Sequence, residues 1–189
     1  YWSELTQIMD WADTHVHSTL HICWGAQAGI YYHYGIAKRV LPGKLTGIFS
    51  HEVIKPSSPL VRGFDDVFDA PHSRYTGVVE SDIAAHPELE VIADSAEAGA
   101  YIVKSVDSKN FFVFGHPEYD RSTLAAEYAR DVARVKEGTL EFAPMPAHYF
   151  PDDDPTRTPH SSWRSHAQLL YTNWLNYYVY QTTPYNLYE

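Results

Sequence analysis

The chain has 189 residues, a formal net charge of −10 at neutral pH and 44% hydrophobic residues. This length and composition favour a single folded domain over residues 1–189 with a substantial core. The negative charge argues against a nucleic-acid surface, and no apolar run approaches the ~20 residues that a membrane span needs. One cysteine cannot form an internal disulfide, which favours a reducing, cytoplasmic setting.

The chain opens directly in helical periodicity, with Trp2, Leu5 and Ala12 on one face. The first residue is Tyr1 rather than methionine. We therefore expect a further N-terminal region in the native protein.

The segment from Leu20 to Gly29 predicts a strand, a sharp turn and a helix, with Cys23 on the turn. Small residues follow the cysteine, as a strained nucleophile elbow requires. The helix N-terminus would support a thiolate, and the Trp24 N–H would face a developing oxyanion. A lone cysteine between apolar residues is, however, also typical of a small buried core residue.

Strands are predicted for Lys44 to Ile54, Tyr75 to Val79, Leu89 to Ala93 and Ala100 to Lys104. A turn is predicted at Leu41-Pro42-Gly43, and a loop with a short helical turn is predicted for Leu60 to Ala70. The polar stretch from Pro71 to Thr76 is compatible with a surface loop. Alternation of strands and helices predicts an α/β sheet with its ligand site at the carboxyl ends of the strands.

A second aromatic strand, starting at Asn110, ends at Gly115 and is followed by His116 and Glu118. A cysteine nucleophile needs a base, and the base needs an orienting group. His116 would take the proton of Cys23, and Glu118 would hold the imidazole. The predicted chemistry is acyl transfer or amide hydrolysis through a thioester.

Three further segments complete the reading of the chain. A helix is predicted for Ser122 to Lys136, and an aromatic-rich helix is predicted for Trp163 to Tyr180. The segment between them, from Ala143 to Pro159, holds five of the twelve prolines and predicts a solvated loop. The aromatic stripe of this last helix is typical of a core or a subunit contact, and we expect a homodimer.

Two other chemistries receive less support. His15, His17 and His21 lie close together, but no second cluster has zinc-ligand spacing, so we expect no metal. The spacing from His116 to Asp120 also matches an H-x-x-x-D acyltransferase pattern, which would leave Cys23 without a role.

Five motifs, in order, resemble the homoserine O-succinyltransferase (homoserine transsuccinylase) family over essentially the whole chain. They are Ser18-Thr19-Leu20-His21-Ile22-Cys23-Trp24-Gly25-Ala26-Gln27-Ala28-Gly29, Pro71-His72-Ser73-Arg74-Tyr75, Gly115-His116-Pro117-Glu118-Tyr119-Asp120, Trp163-Arg164-Ser165-His166-Ala167 and Asn173-Trp174-Leu175-Asn176-Tyr177-Tyr178-Val179-Tyr180-Gln181.

The resemblance implies a class I glutamine-amidotransferase-like, flavodoxin-like three-layer α/β fold and a ping-pong mechanism. An acetyl or succinyl group would pass from coenzyme A to Cys23 and then to the hydroxyl of L-homoserine, in methionine biosynthesis, with no permanently bound cofactor. Cys23, His116 and Glu118 match the family's catalytic positions. Lys44, Ser73 and Arg130 match its substrate-contacting positions.

Family members also carry an N-terminal region that supplies part of the oxyanion hole and bears on the choice of acyl donor. We expect that region to precede Tyr1, which leaves acetyl and succinyl donors open. We further expect Arg130 to be a buried guanidinium that binds the acceptor carboxylate bidentately.

Other functions remain open on sequence grounds. L-Serine differs from homoserine by one methylene, so a serine O-acetyltransferase of cysteine biosynthesis is a close variant. A glutamine amidotransferase-type hydrolase shares the elbow and the His-x-Glu pattern, but it leaves the Pro71 to Tyr75 and Trp163 to Gln181 motifs unexplained. A catalytically inactive interaction module is a third class.

Overall fold

In the computed structural model, which describes residues 1–184, a six-stranded mixed sheet lies between layers of helices. The last five residues of the predicted 1–189 domain lie outside the described residues. The helices are α1 (Trp2–His15), α2 (Trp24–Tyr34), α3 (Glu80–Ala84), α4 (Thr123–Lys136) and α5 (Arg164–Asn173), which continues as a π-helix over Trp174–Tyr180. The strands are β1 (Thr19–Ile22), β2 (Arg39–Val53), β3 (Val67–Gly77), β4 (Leu89–Asp94), β5 (Ile102–Ser105) and β6 (Asn110–Val113), and short 3₁₀ turns occur at Pro59–Val61 and Pro151–Asp153.

The strand order is β1-β6-β5-β4-β2-β3. β1 and β6 pair in parallel, with Ile22 opposite Val113, and the other neighbouring strands are antiparallel. The predicted α/β class is thus confirmed. The parallel pair brings the residues that follow two distant strands to one edge of the sheet.

Side chains of β6 alternate between the two faces of the sheet, as the pleat requires. Phe112 packs with Ile30 of α2, whereas Phe111 packs on the other face with Leu170 of α5 and Tyr178 of the π-helix. Each fully buried side chain of this size contributes ~1.5–3 kcal/mol. The two apolar clusters hold a helical layer against each face.

Two sequence predictions about β2 and β3 are wrong. Leu41-Pro42-Gly43 lies inside β2, where the pairing shifts between Val40 and Leu45, so the expected turn is a strand irregularity. The expected surface loop from Pro71 to Thr76 belongs to β3, where His72 and Arg74 are buried. The strand was not predicted because strands are recognised in a sequence by the alternation of apolar side chains, and several interior positions of β3 are polar.

The proline-rich segment from Ala143 to Pro159 is not the fully solvated loop predicted. Tyr149 and Phe150 are buried with Ile48, Leu124 and Trp163. Ala147 also pairs in parallel with Gly47, its N–H donating to Thr46 O and its carbonyl accepting from Ile48 N. This segment therefore pairs with the part of β2 that β4 leaves unpaired, and it packs against α4. The helices predicted before and after it are confirmed, except for the π-helical end.

Gly47 is required by this contact. Its φ is 144°, and a Cβ there would overlap the backbone of Ala147. We predict that Gly47→Ala lowers the free energy of unfolding by about 1–3 kcal/mol through backbone strain and overlap. Gly43→Ala, in the same strand but in open space, is the matched control and should be close to neutral. Equal melting temperatures for the two variants would contradict this account of the segment.

Candidate active site

Cys23 lies at the turn between β1 and α2, as predicted. Its φ of 49° and ψ of −110° are unusual for a residue with a side chain, and such strain costs about 1–3 kcal/mol. Its N–H donates to Val113 O at 2.7 Å, and its carbonyl accepts from Gln27 N at 3.1 Å. The cysteine is thereby fixed between the end of β6 and the first turn of α2.

Small residues allow this helix to approach the sheet. Ala26 and Ala28 are buried in α2. At Gly29, a Cβ would lie 3.0 Å from the Phe112 ring and 3.1 Å from His21 Nδ1. A larger side chain would push α2 away from β6, so the glycine keeps the helix N-terminus beside the sheet edge.

His116 follows β6 and faces the nucleophile. Its N–H donates to Pro71 O at 2.8 Å, which ties the turn to β3. Its Nδ1 lies 2.6 Å from Glu118 Oε1, and its ring stacks on Tyr119 with centroids 4.1 Å apart and an interplanar angle of 17°. The imidazole is thus oriented by a carboxylate at one nitrogen and by an aromatic face.

The electrostatics of His116 agree with this geometry. Burial alone lowers the pKa of His116, but the interactions with Cys23 and Glu118 outweigh it and raise the pKa to about 9. The imidazole therefore carries a proton at neutral pH while it faces Cys23. The structure brings Cys23, His116 and Glu118 together, so that a thiol, an imidazole and a carboxylate lie in one site; such a set can act as nucleophile, base and orienting group.

Arg74 of β3 was missed as a site residue because its stretch was interpreted as a loop. Its guanidinium is buried and donates to Thr76 O at 2.8 Å and Ala98 O at 2.6 Å, and its Nε has no partner within residues 1–184. Gln27 of α2 also bonds Thr76. Burial lowers the pKa of Arg74, and the negative charge of Cys23 opposes that effect. A buried positive charge therefore lies close enough to Cys23 to interact with it.

Lys44 and Ser73 converge on α4. Lys44 Nζ lies 2.8 Å from Asp131 Oδ2 and 3.4 Å from Glu127 Oε2, and Ser73 Oγ donates to Glu127 Oε2 at 2.5 Å. Glu127 and Asp131 were not predicted as site residues. Their one-turn spacing on the buried side of α4 was the available signal, since a buried carboxylate needs partners.

The expectation of a buried Arg130 is wrong, since its side chain is 58% exposed. Nε and Nη2 both donate to Asp131 Oδ1, at 3.0 and 2.9 Å. One edge of the guanidinium is held by this carboxylate, while the remaining donors face outward. Helix α4 is a surface helix at this point, because Arg130 and Ala129 lie on its exposed side.

Trp24 is the first residue of α2, so its backbone N–H has no acceptor within the helix. This position fits the predicted oxyanion donor. His15 and His17 are engaged elsewhere, with Trp11 O and Thr182 Oγ1 respectively. Within residues 1–184 no group of three or more His, Cys, Asp or Glu side chains is arranged to hold a metal ion.

Two solved structures with the same fold are glutamine amidotransferases. The chain superposes on one from Thermotoga maritima with a TM-score of 0.64 and 15% identity, covering 94% of this chain and 69% of that one. A glutamine amidotransferase from Methylobacillus flagellatus gives a TM-score of 0.61 at 14% identity, covering 92% and 68%. The protein thus has the class I glutamine-amidotransferase-like fold with an elbow cysteine.

The family model described as homoserine O-succinyltransferase matches residues 1–185, and the chain belongs to this family. A homoserine O-acetyltransferase of Lachnospira eligens is 59% identical over 189 residues, which are 100% of this chain and 59% of that protein. One of Thermotoga petrophila is 56% identical over 187 residues, 99% of this chain and 60% of that protein. The chain therefore spans about three-fifths of the length of the curated relatives it matches.

These comparisons bear on the alternative functions that the sequence leaves open. The relatives' names refer to homoserine, and none of those reported supports the expected variant in cysteine biosynthesis. The low identity to the amidotransferases supports a common fold and nothing about a common reaction. In the part of the chain that the structure describes, no helix is long and apolar enough to cross a membrane.

The raised pKa of His116 is directly testable. Because its folded pKa of about 9 exceeds the ordinary 6.5, the imidazolium contributes stability that is full below pH 6.5 and is lost as pH rises through about 9. NMR titration should report an apparent pKa near that value. Glu118→Gln removes one of the negative charges and should lower the pKa of His116. An unchanged titration in this variant would contradict the assigned role of Glu118.

Proposed function

We propose that the protein is an acyl-CoA-dependent homoserine O-acyltransferase, with Cys23 as nucleophile, His116 as proton carrier and Glu118 as orienting group. One observation carries the proposal. In a chain of this family, Cys23 and the His116–Glu118 pair lie side by side because they follow the adjacent ends of the parallel strands β1 and β6. Acyl-CoA is a cosubstrate that gives up its acyl group to Cys23, and free coenzyme A leaves in each turnover. No permanently bound cofactor is needed for this chemistry.

We propose acetyl-CoA as the donor. The family model carries the name of the succinyltransferase, but relatives at 54–59% identity are named homoserine O-acetyltransferase. At this identity the relatives' names are the more specific support for the acyl group. The proposed reaction thus forms O-acetyl-L-homoserine and free coenzyme A.

In the first half-reaction, the Cys23 sulfur attacks the thioester carbonyl, and a C–S bond to Cys23 forms. The negative oxygen of the tetrahedral intermediate is stabilised by the Trp24 N–H at the N-terminus of α2, and such a donor typically contributes ~2.7–4 kcal/mol. The bond to the coenzyme A sulfur then breaks, and the His116 imidazolium protonates that thiolate. An acetyl-cysteine and neutral His116 remain.

In the second half-reaction, neutral His116 removes the proton of the acceptor hydroxyl as its oxygen attacks the acetyl-cysteine carbonyl. The C–S bond breaks, the ester leaves, and the Cys23 thiolate is regenerated beside the imidazolium. Glu118 keeps the imidazole in the orientation that serves both steps and stabilises its charged form. The positive charge of Arg74 favours the regenerated thiolate.

We place the acceptor amino acid beside α4, where Lys44, Ser73 and Arg130 lie. Arg130 is suited to the acceptor carboxylate because its guanidinium is exposed and only partly used by Asp131. Lys44 is held by two carboxylates and would act by charge and position. The homodimeric state and the cytoplasmic location stay predictions.

Mass spectrometry of the native-length protein tests the covalent step. Incubation with acetyl-CoA should add one acetyl group to Cys23, and succinyl-CoA should react more slowly. Cys23→Ala should remove the modification and the transferase activity while preserving the fold, since the side chain is small. Normal turnover of the alanine variant would refute the covalent mechanism, and preferential succinylation would refute the choice of donor.

Arg130→Lys tests carboxylate recognition. Loss of the planar fork should raise the KM for homoserine roughly tenfold or more, because hydrogen bonds to charged groups are worth ~1.5–3 kcal/mol. Acylation of Cys23 should be unaffected, since it precedes acceptor binding. Arg134→Lys, on the exposed surface of the same helix, is the matched control. Equal damage to both half-reactions would instead indicate a structural role for Arg130.

A further inference from the structure

Arg74 of β3 is a buried cation, only 8% exposed, whose hydrogen bonds go to uncharged groups. Its two Nη atoms donate to the carbonyls of Thr76 and Ala98. Within residues 1–184, the arginines that pair with carboxylates are Arg39, Arg130 and Arg157. Buried charges in proteins are normally paired, and carbonyl groups carry no net charge. The guanidinium therefore requires a negative charge from another group.

A chain of hydrogen bonds joins this guanidinium to the helix that begins at the nucleophile. Thr76 O accepts from Arg74 Nη1 at 2.8 Å and from Gln27 Nε2 at 3.3 Å, and Thr76 Oγ1 donates to Gln27 Oε1 at 2.6 Å. Gln27 is buried, and its backbone N–H donates to Cys23 O at 3.1 Å. The guanidinium is thus fixed against the first turn of α2, beside the cysteine.

The fold leaves space for Arg74 in this position. A Cβ at Gly77 would overlap Arg74 Nη1, although Gly77 has no positive φ that would itself require glycine. The small residue at the end of β3 therefore allows the guanidinium to approach the backbone. This arrangement holds the positive charge in one place rather than letting the long side chain reach solvent.

Cys23 supplies the missing negative charge. Burial lowers the pKa of Arg74, and the charge of Cys23 opposes this effect. Cys23 is itself only 8% exposed, so water and salt screen the interaction weakly. The His116 imidazolium, in contrast, has a carboxylate of its own, Glu118, at 2.6 Å. Of the two cations near the thiolate, Arg74 is the one that depends on it.

We propose that Arg74 is a positioning residue whose guanidinium is the buried counter-charge of the Cys23 thiolate, and that it thereby raises the free energy of the acyl-enzyme relative to the free enzyme. The second half of this inference rests on the proposed function. Attack by Cys23 forms its C–S bond, the bond to the coenzyme A sulfur breaks, and that sulfur leaves as a thiol with the proton of His116. The new thioester is neutral, so Arg74 stays charged and loses its counter-charge. Transfer of the acyl group to the acceptor restores the thiolate and is favoured for that reason.

Alkylation of Cys23 tests the charge interaction without acyl-CoA. The thiolate displaces iodide from iodoacetamide to give a neutral adduct, or from iodoacetate to give an adduct that carries a carboxylate. Native-length wild-type, Arg74→Gln, Arg74→Lys and Arg39→Gln proteins are compared at one pH and ~0.15 M salt, with mass spectrometry of the Cys23 peptide. Arg39 lies opposite Gly77 in β2 with a side chain that is 69% exposed, so it is the control for the same loss of charge at the surface.

Arg74→Gln should lower the ratio of the iodoacetate rate to the iodoacetamide rate roughly tenfold or more. A unit charge near the reacting atoms of a partly buried site contributes more than the ~1.4 kcal/mol that a tenfold change requires. Arg74→Lys keeps the charge and should restore part of the ratio, and Arg39→Gln should keep the wild-type ratio. The ratio does not depend on the amount of folded protein, and a purely structural role would change both rates alike.

The equilibrium of the first half-reaction tests the effect on the acyl-enzyme. Wild-type and Arg74→Gln proteins are incubated with defined mixtures of acetyl-CoA and free coenzyme A, without acceptor, and the acetylated fraction of Cys23 is measured. At the same ratio of the two coenzymes, the quotient of acetylated to free enzyme should be roughly tenfold higher in Arg74→Gln, because no buried charge is left uncompensated.

Equal alkylation ratios in wild type and Arg74→Gln would overturn the inference and would mean that another group balances Arg74. An unchanged acetylation equilibrium would overturn the claim that Arg74 destabilises the acyl-enzyme. A wild-type protein that forms no acyl-Cys23 from acetyl-CoA or succinyl-CoA would instead refute the proposed function, and the alkylation ratio would still decide whether Arg74 is the counter-charge of Cys23.

Discussion

The parallel pairing of β1 with β6 is the constraint on which the site depends. Ile22 lies opposite Val113, and the Cys23 N–H donates to Val113 O, so the two chain segments leave the sheet side by side. A slip of one residue in this register would turn every side chain of the slipped strand to the opposite face and would displace Cys23 relative to His116. The apolar side chains of β6, packed on both faces, hold that register because each face has its own cluster.

A second constraint is charge. Lys44, Glu127, Arg130 and Asp131 form a network in which each charge has an opposite partner, and three of these four side chains are largely buried. Removing Lys44 would leave the largely buried Glu127 without an opposite charge, which is far costlier than the loss of a surface ion pair. The network fixes β2 against α4, and the hydrogen bond from Ser73 to Glu127 joins β3 to the same helix.

The elements that carry the predicted chemistry could be read from the sequence because their signals are local. β1, α2 and β6 show apolar runs ended by glycine or small residues, and the nucleophile and base stand at those ends. The same logic failed for β3. His72 and Arg74 are buried polar residues with partners in other segments of the chain: His51 Nε2 lies 3.0 Å from His72 Nε2, and Arg74 donates to Ala98 O at 2.6 Å. No periodicity reports such pairs.

The exposed position of Arg130 and the contacts of Glu127 and Asp131 were not predicted either. Both carboxylates depend on Lys44, which is more than 80 residues away along the chain, and only the folded sheet brings them together. The π-helix at Trp174–Tyr180 is a similar case, since its pattern is aromatic and helical. Tyr178 of this π-helix packs on Phe111 of β6, with ring centroids 4.7 Å apart.

The backbone at Cys23 has a consequence for selection. Its positive φ is a conformation that glycine adopts without strain, yet glycine has no thiol, so any chain of this fold that keeps the nucleophile retains a local cost of about 1–3 kcal/mol. Stability and the proposed activity are opposed at this single position. A lineage that no longer needs catalysis could gain stability by replacing the cysteine. Loss of function at this position would then be favoured by the gain in folding free energy.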